Sequence, residues 1–469
     1  MANPDKSNYI QDFSDYRKAL LKSPWLRDLD IVEAMQFVNK LDQSRFASAV
    51  YAERKKETPL IQPRGGVGTF EKQLQLSKSL YNAGADFIPL TIDSLTRHND
   101  YARASALAEI SEKENKQLLN GYPLVSHGHE ITRQLYKDID RPISLRHGTP
   151  DARVLVEIAL ASGITEIEGG GLCYSLPYSR EYPIDRALLN WQYVDRLCAE
   201  YSTEGRIIHR ESFGPLTATM VPPMMVIVIQ VLELLSAAEQ GVKSFAVSFG
   251  QMGSVDQDVA TAAALRKVAQ SCLDKFGFND VQLRLVYHQW MGAFPSERVE
   301  AEGLIGIGAM VAAMIRADKI VTKTYQEAIG VPTPEANSDG IRLVKYMFDH
   351  FAPMGDFRSE RSLREEALIT SQSMTLLEAV FNMPGSTVWE SIYQAVSKGI
   401  IDIPFAPHSD NNNQLITIRD KYKAIRILKV GKVPMAVKDI ETEKELLEGH
   451  EAGNSMLFKK LLDDIILMI

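Results

Sequence analysis

Short apolar, often β-branched runs recur through the middle of this chain, each followed by a longer stretch with apolar residues at helical spacing. Strands covered on both faces read as near-continuous apolar runs, so this alternation marks βα units feeding a parallel sheet. Eight runs are predicted as strands: 59–62, 86–90, 142–146, 164–168, 207–211, 243–248, 281–287 and 319–323. Eight βα units within about 300 residues predict an α/β fold, a closed (β/α)8 TIM barrel over 58–355. The stretch 69–84 illustrates a connecting helix, with Phe70, Leu74, Leu80 and Tyr81 expected near one side and Gly84 ending it. The link between the second and third strands is long and carries Gly121-Tyr122-Pro123-Leu124-Val125. It reads as an insertion, with a ninth strand as the alternative. Residues 1–57 read as a charged, helical N-terminal extension that braces the barrel. From 356 to 469 the rhythm changes to a helical region rich in Glu and Arg, then the segment 399–407, a loop with Asn411-Asn412-Asn413 and an apolar segment around 425–428. That region is expected as a C-terminal α+β appendage packed on the barrel.

Composition narrows the function classes. With 45% hydrophobic and 24% charged residues, the 469-residue chain is globular with a sizeable core. A net charge of −8 argues against a nucleic-acid surface, which usually shows a basic face. Three widely spaced cysteines, Cys173, Cys198 and Cys272, fit a reducing cytoplasm better than a disulfide framework. The polar N-terminus lacks the apolar core of a signal peptide. The apolar stretches 221–235 and 304–315 fall short of the ~18–20 residues of a spanning helix, so no membrane segment is expected.

The chemistry collects after the predicted strands. Arg64 stands in Gln62-Pro63-Arg64-Gly65-Gly66, Arg97 follows Thr91-Ile92-Asp93, and Arg146 opens Arg146-His147-Gly148-Thr149-Pro150. Glu168 closes the fourth run, before Gly169-Gly170-Gly171. Residues after barrel strands line one mouth, where such folds do their chemistry. Guanidinium groups grip carboxylates through planar pairs of hydrogen bonds, and a carboxylate suits an ammonium. Together these four describe a cup for a small dicarboxylic amino acid; singly, each arginine reads as a surface or ion-pair residue. The neighbouring glycines either admit a ligand close to the backbone or make tight turns. Tyr174 and Tyr178 either donate to a carboxylate or pack. Lys323 and Glu327, four apart, form either a surface ion pair or two partners for a ligand hydroxyl such as a ribose. The histidines, among them His127, His129, His147 and His288, lack a carboxylate at helical ligand spacing, so no metal site is expected in this chain. No phosphate loop, dinucleotide fingerprint in strand–helix context or Gly-x-Ser-x-Gly elbow occurs.

These motifs resemble the large (epsilon) subunit of glutamate mutase, also called methylaspartate mutase. The likeness rests on Gln62 to Val67, Thr91-Ile92-Asp93, Arg146 to Asp151, Glu168 to Gly171, Phe213 to Thr217, His288 to Gly292, and Lys323 to Gly330, within a span of about 55 to 440. The resemblance implies a (β/α)8 barrel that interconverts L-glutamate and (2S,3S)-3-methylaspartate with adenosylcobalamin, by splitting the substrate radical into two fragments that recombine. It implies that Arg64, Arg97 and Arg146 hold the substrate carboxylates, that Glu168 acts as base beside the ammonium, and that Tyr174 and Tyr178 contact substrate. Lys323 and Glu327 would hydrogen-bond the adenosyl ribose, and Gly66, Thr91, Arg97, Phe213 and Met291 would border the cofactor. The cobalt-ligating Asp-x-His-x-x-Gly motif of base-off cobalamin proteins is absent, and His288 does not match it. In the family that motif belongs to a small (sigma) subunit, so the resemblance implies a heterotetramer of two large and two small chains with cobalamin between them. Cys173, a thiol able to donate hydrogen to a radical, is expected to point away from the substrate.

Other readings remain: a cobalamin mutase acting on another dicarboxylic acid, a cofactor-free barrel lyase or aldolase using Lys323 as a Schiff-base amine, or a non-catalytic binding subunit that keeps the cup.

Overall fold

The computed structural model describes residues 13–54, 58–216, 220–354, 357–385, 387–447 and 463–464. Parts of the predicted N-terminal extension (1–12 and 55–57), and Thr217 of the Phe213 motif, lie outside the described residues. All eight predicted strands form: β1 Leu60–Gln62, β2 Ile88–Thr91, β3 Ile143–Arg146, β4 Glu166–Glu168, β5 His209–Glu211, β6 Ser244–Gly250, β7 Gln282–His288 and β8 Lys319–Val321. They make one parallel sheet in the order β1-β8-β7-β6-β5-β4-β3-β2. β1 pairs with β8 in register Leu60 to Lys319. The β1–β2 seam is drawn together by the N–H of Asp86 donating to Ile61 O at 2.9 Å and that of Thr91 donating to Gly65 O at 2.9 Å. The result is the nearly closed (β/α)8 TIM barrel expected.

The first connecting helix, Phe70–Ala83, ends at Gly84 in a left-handed conformation (φ 91°). Its buried side differs from expectation: Gln73, Leu76, Ser77 and Leu80 are buried, while Phe70, Leu74 and Tyr81 are only partly covered. The cause is polar: the Gln73 amide turns inward to accept from the Val67 N–H at 3.0 Å and to donate to Ser77 at 3.1 Å. Between β2 and β3 the insertion holds helices Tyr101–Glu114 and Leu124–Arg133. The alternative ninth strand is reduced to one bridge, Ile92 with Tyr122.

The apolar run at 221–235 is accounted for by the helix Pro223–Glu239, buried on nearly every side. It lies between β6 and the C-terminal helices Glu360–Phe381 and Val388–Ser397. A helix apolar all round needs such complete cover. No helix among the described residues is long and apolar enough to cross a membrane.

Before the barrel, helix Phe13–Leu20 is held by Arg17, which grips Glu157 of helix Arg153–Ala161 through two bonds of 2.8 Å. After it, an antiparallel hairpin forms from β9 Ile416–Arg419 and β10 Ile425–Lys429. Gln257 docks this hairpin by accepting from the Ile425 N–H at 2.8 Å and donating to its carbonyl at 3.0 Å. Arg419 donates to Met252 O at 2.6 Å, and the Ser409 N–H donates to Arg180 O at 2.9 Å. The C-terminal region thereby braces loops that follow β4 and β6, at the end of the barrel that carries the site.

Candidate active site

The C-terminal strand ends surround a cavity of about 310 Å3. Arg64, Arg97, Arg146 and Glu168 line it together, so the four residues singled out from sequence share one opening. Tyr174, Tyr178, Thr91, Phe213 and Met291 line it too. Gly66, Lys323 and Glu327 do not. Arg64 connects the cavity to the last pair: its guanidinium is 3.8 Å from Glu327, which accepts from Lys323 at 2.6 Å. Burial and the nearby Arg64 charge lower the Lys323 ammonium to about 8, against the pull of Glu327.

The arginines are not equivalent. Arg146 is 7% exposed and already paired: its Nε lies 2.7 Å from Glu168 Oε2, and an Nη donates to Glu211 Oε1 at 2.7 Å. Beneath it Lys319, fully buried, donates to Glu211 at 2.7 Å, to Glu166 at 2.9 Å and to Gln62 at 2.5 Å. The floor of the cup is therefore a ladder of alternating charges, Glu168–Arg146–Glu211–Lys319–Glu166, built from inward-facing positions of the neighbouring strands β3, β4 and β5 and, across the barrel, of β8. Buried charges persist only when paired in this way.

The ladder sets the two glutamates apart. Burial pushes the Glu168 carboxyl up to about 7; Arg146 opposes the rise, while Glu211 adds to it. Burial would also raise Glu211, but Lys319 and Arg146 hold it well below the usual carboxylate range. Carboxyl groups pushed apart by their surroundings divide into a permanent charge and a proton-exchanging group. The Tyr174 hydroxyl is the side-chain hydrogen-bond partner of Glu168, whereas the Arg97 Nε is buried with no hydrogen-bond partner among the described residues. A buried guanidinium N–H of this kind, on a residue that lines the cavity, is suited to a polar group from a ligand.

The glycines resolve mostly as packing. A Cβ on Gly66 would fall 2.0 Å from Thr91 O, and one on Gly170 would fall 2.3 Å from the Glu233 carboxyl. Gly169 (φ 125°) is enclosed by Trp191 and Tyr174. Only Gly148 both lines the cavity and has room, its Cβ position meeting nothing nearer than Arg97 Cδ at 3.9 Å. Gly66→Ala is accordingly expected to destabilise the fold by at least ~1–3 kcal/mol through overpacking, and Gly148→Ala by well under ~1 kcal/mol. Urea midpoints of the two variants check this pair.

Sequence reasoning gave the two cup histidines no role in the site. His147 stacks on Trp191 at 5.7 Å and is held neutral, pushed down to about 3 by burial and Arg210. His288 lies 3.6 Å from Glu211, and burial lowers it to about 4. Phe213 packs edge-on against His288 and Tyr178, giving the rim an aromatic surface. Cys173 is fully buried and does not line the cavity. Among the described residues no group of three or more His, Cys, Asp or Glu is placed to hold a metal ion.

Residues 41–469 match the family described as Methylaspartate mutase E chain (MutE). The chain is 37% identical to a glutamate mutase epsilon subunit from Desulfitobacterium hafniense, covering 97% of this chain and 95% of that one. It is 37% identical to the epsilon subunit from Treponema denticola over the same shares, and 35% identical to that from Yersinia enterocolitica over 98% and 97%. Similarity of this extent, over a barrel whose mouth gathers these strand-end residues, shows the family: the chain belongs to the methylaspartate mutase E chains, the glutamate mutase epsilon subunits, and is thus a subunit of a mutase, an isomerase.

Proposed function

We propose that this subunit interconverts L-glutamate and (2S,3S)-3-methylaspartate by radical fragmentation and recombination, with adenosylcobalamin and a small cobalamin-binding sigma subunit in a heterotetramer of two large and two small chains. The observation that carries the reading is the convergence of Arg64, Arg97 and Arg146 with Glu168 on one cavity of amino-acid size. Moving a carbon group within a diacid leaves a carboxylate on each fragment, so each fragment needs its own grip. Arg97 and Arg64, whose guanidinium groups border open space, take the two carboxylates together with the remaining face of Arg146. Tyr174 and Tyr178 add hydroxyl donors at the walls, and Glu168 receives the ammonium and accepts its proton.

Adenosylcobalamin, when bound, supplies the carbon-centred radical that removes a substrate hydrogen. A corrinoid is far larger than the cup, so this chain would meet it at the rim. The residues there would fit it: Thr91, Phe213 and Met291 line the mouth together with Arg97 and would offer a mostly apolar border, with Gly66 packed against the Thr91 carbonyl. Lys323 and Glu327, bridged to the cup by Arg64, fit adjacent ribose hydroxyls.

Because Glu168 must be ionised to accept a proton, kcat/KM is expected to rise about tenfold per pH unit below about 6.5 and to level above about 8. Glu168→Gln removes that limb; a flat wild-type profile from pH 5.5 to 8 contradicts the base role. The direct test mixes the chain with a small subunit and adenosylcobalamin, and looks for methylaspartate and a cobalt-coupled organic radical signal. Absence of both with glutamate, but turnover of another diacid, selects a related mutase. Turnover by the chain alone selects the lyase, a role ill suited to Lys323, which is engaged by Glu327 outside the cup.

A further inference from the structure

The cup occupies the C-terminal ends of the strands. At the other end a second, larger cleft of about 770 Å3 opens between helix Ala47–Glu53, the start of β7, the residues preceding β8 and helix Val255–Phe276. Arg284 in this cleft and His288 in the cup share β7, four residues or about 13 Å of strand apart. The two cavities are therefore separate places.

The cleft is strongly basic. Arg54, Arg266, Lys267, Arg284, Arg316 and Arg358 line it. Two carboxylates, Asp318 and Glu366, are the acids among its lining residues, in a chain whose formal net charge is −8. Both acids are already engaged. Asp318 accepts from Arg54 at 2.7 Å and from the Leu285 N–H at 2.7 Å, and Glu366 accepts from Arg358 at 2.8 Å. The positive charge left over, on Arg266, Lys267, Arg284 and Arg316, is drawn from three separate segments of chain, which rules out a simple solvated helix face.

A second observation points the same way. The Nε of Arg284 is buried and makes no hydrogen bond within the chain, while its guanidinium sits 6.0 Å from the Tyr51 ring. A buried guanidinium N–H is costly unless an acceptor reaches it. No titration need be invoked, since arginine stays charged at any working pH.

We infer that this cleft binds a small polyanion, with its charge carried on phosphate or carboxylate groups. Guanidinium groups pair with both through two-pronged, charge-assisted bonds, and the cleft is within the size range of small-ligand sites. The site is independent of the reaction proposed for the cup.

Calorimetric titration of the full chain with tripolyphosphate, and separately with citrate, at constant ionic strength tests it. The expected result is saturable binding of one anion per chain, weakened at least tenfold by Arg284→Gln and by Lys267→Glu and unchanged by Arg97→Gln. Lys267 is exposed, so its variant keeps the test decisive if Arg284→Gln fails to fold. Binding of tripolyphosphate alone assigns phosphate chemistry, and binding of citrate alone assigns carboxylate chemistry. No saturable binding of either, or binding that survives Lys267→Glu and is lost in Arg97→Gln, overturns the site.

Discussion

Arg146→Lys is expected to lower kcat/KM for glutamate by about 10²–10³-fold in the reconstituted complex, with kcat carrying most of the loss. The wild-type guanidinium touches Glu168 and Glu211 at once, each at 2.7 Å, and still faces the cavity. A lysine ammonium is one point charge on a flexible stem and cannot reproduce the planar set of donors. Glu168 would lose the close guanidinium contact and be opposed only by a single ammonium on a shorter stem, so its carboxyl would rise further and the pH limb would move to higher pH. Rate and pH profile therefore report together. Near-normal turnover with an unmoved limb would remove Arg146 from the machinery.

The second large effect is on stability. Lys319→Met is expected to destabilise the fold by about 3–5 kcal/mol at neutral pH, because among the described residues it leaves the buried Glu166 with no lysine or arginine partner and Glu211 with Arg146 as its remaining one. Lys319 lies between Glu166 and Glu211, and all three side chains are wholly enclosed. Without it Glu211 would lose the largest of the charges that hold its carboxyl low, and that carboxyl would rise. Stability from a depressed carboxyl is present above its unfolded pKa and is lost as pH falls, so the penalty is expected to be smaller in acid and to grow as pH rises toward neutrality. Denaturant midpoints at pH 5 and 7.5 check this; a change below about 1 kcal/mol at both would show that the ladder is not needed for the fold.

The barrel was legible because each parallel strand is covered on both sides, so its apolar run stands out against polar connections. Arg64, Arg97, Arg146 and Glu168 were legible because strand ends of a barrel project at one mouth. The ladder beneath them was not read, although a signal existed. Glu166 and Glu168, and likewise His209 and Glu211, stand two apart within predicted strands, so each pair faces one side of the sheet. With apolar neighbours such as Ile167 facing the helices, the charged set has only the barrel interior to enter. The packing role of Gly66 and Gly170 depends on the Thr91 carbonyl and the Glu233 carboxyl, neighbours that no local pattern reveals. The basic cleft unites Arg54, Arg266, Arg284, Arg316 and Arg358, contributors too far apart in the chain for spacing to link.

The central claim is that one cup holds both carboxylates of its substrate, and paired ligand titrations test it most directly. Glutamate and 2-aminobutanoate, which lacks only the side-chain carboxylate, are titrated calorimetrically into the reconstituted complex. Two charged hydrogen bonds at about 1.5–3 kcal/mol each predict that 2-aminobutanoate binds at least ~10²-fold more weakly. Equal affinities for the two ligands would contradict the account.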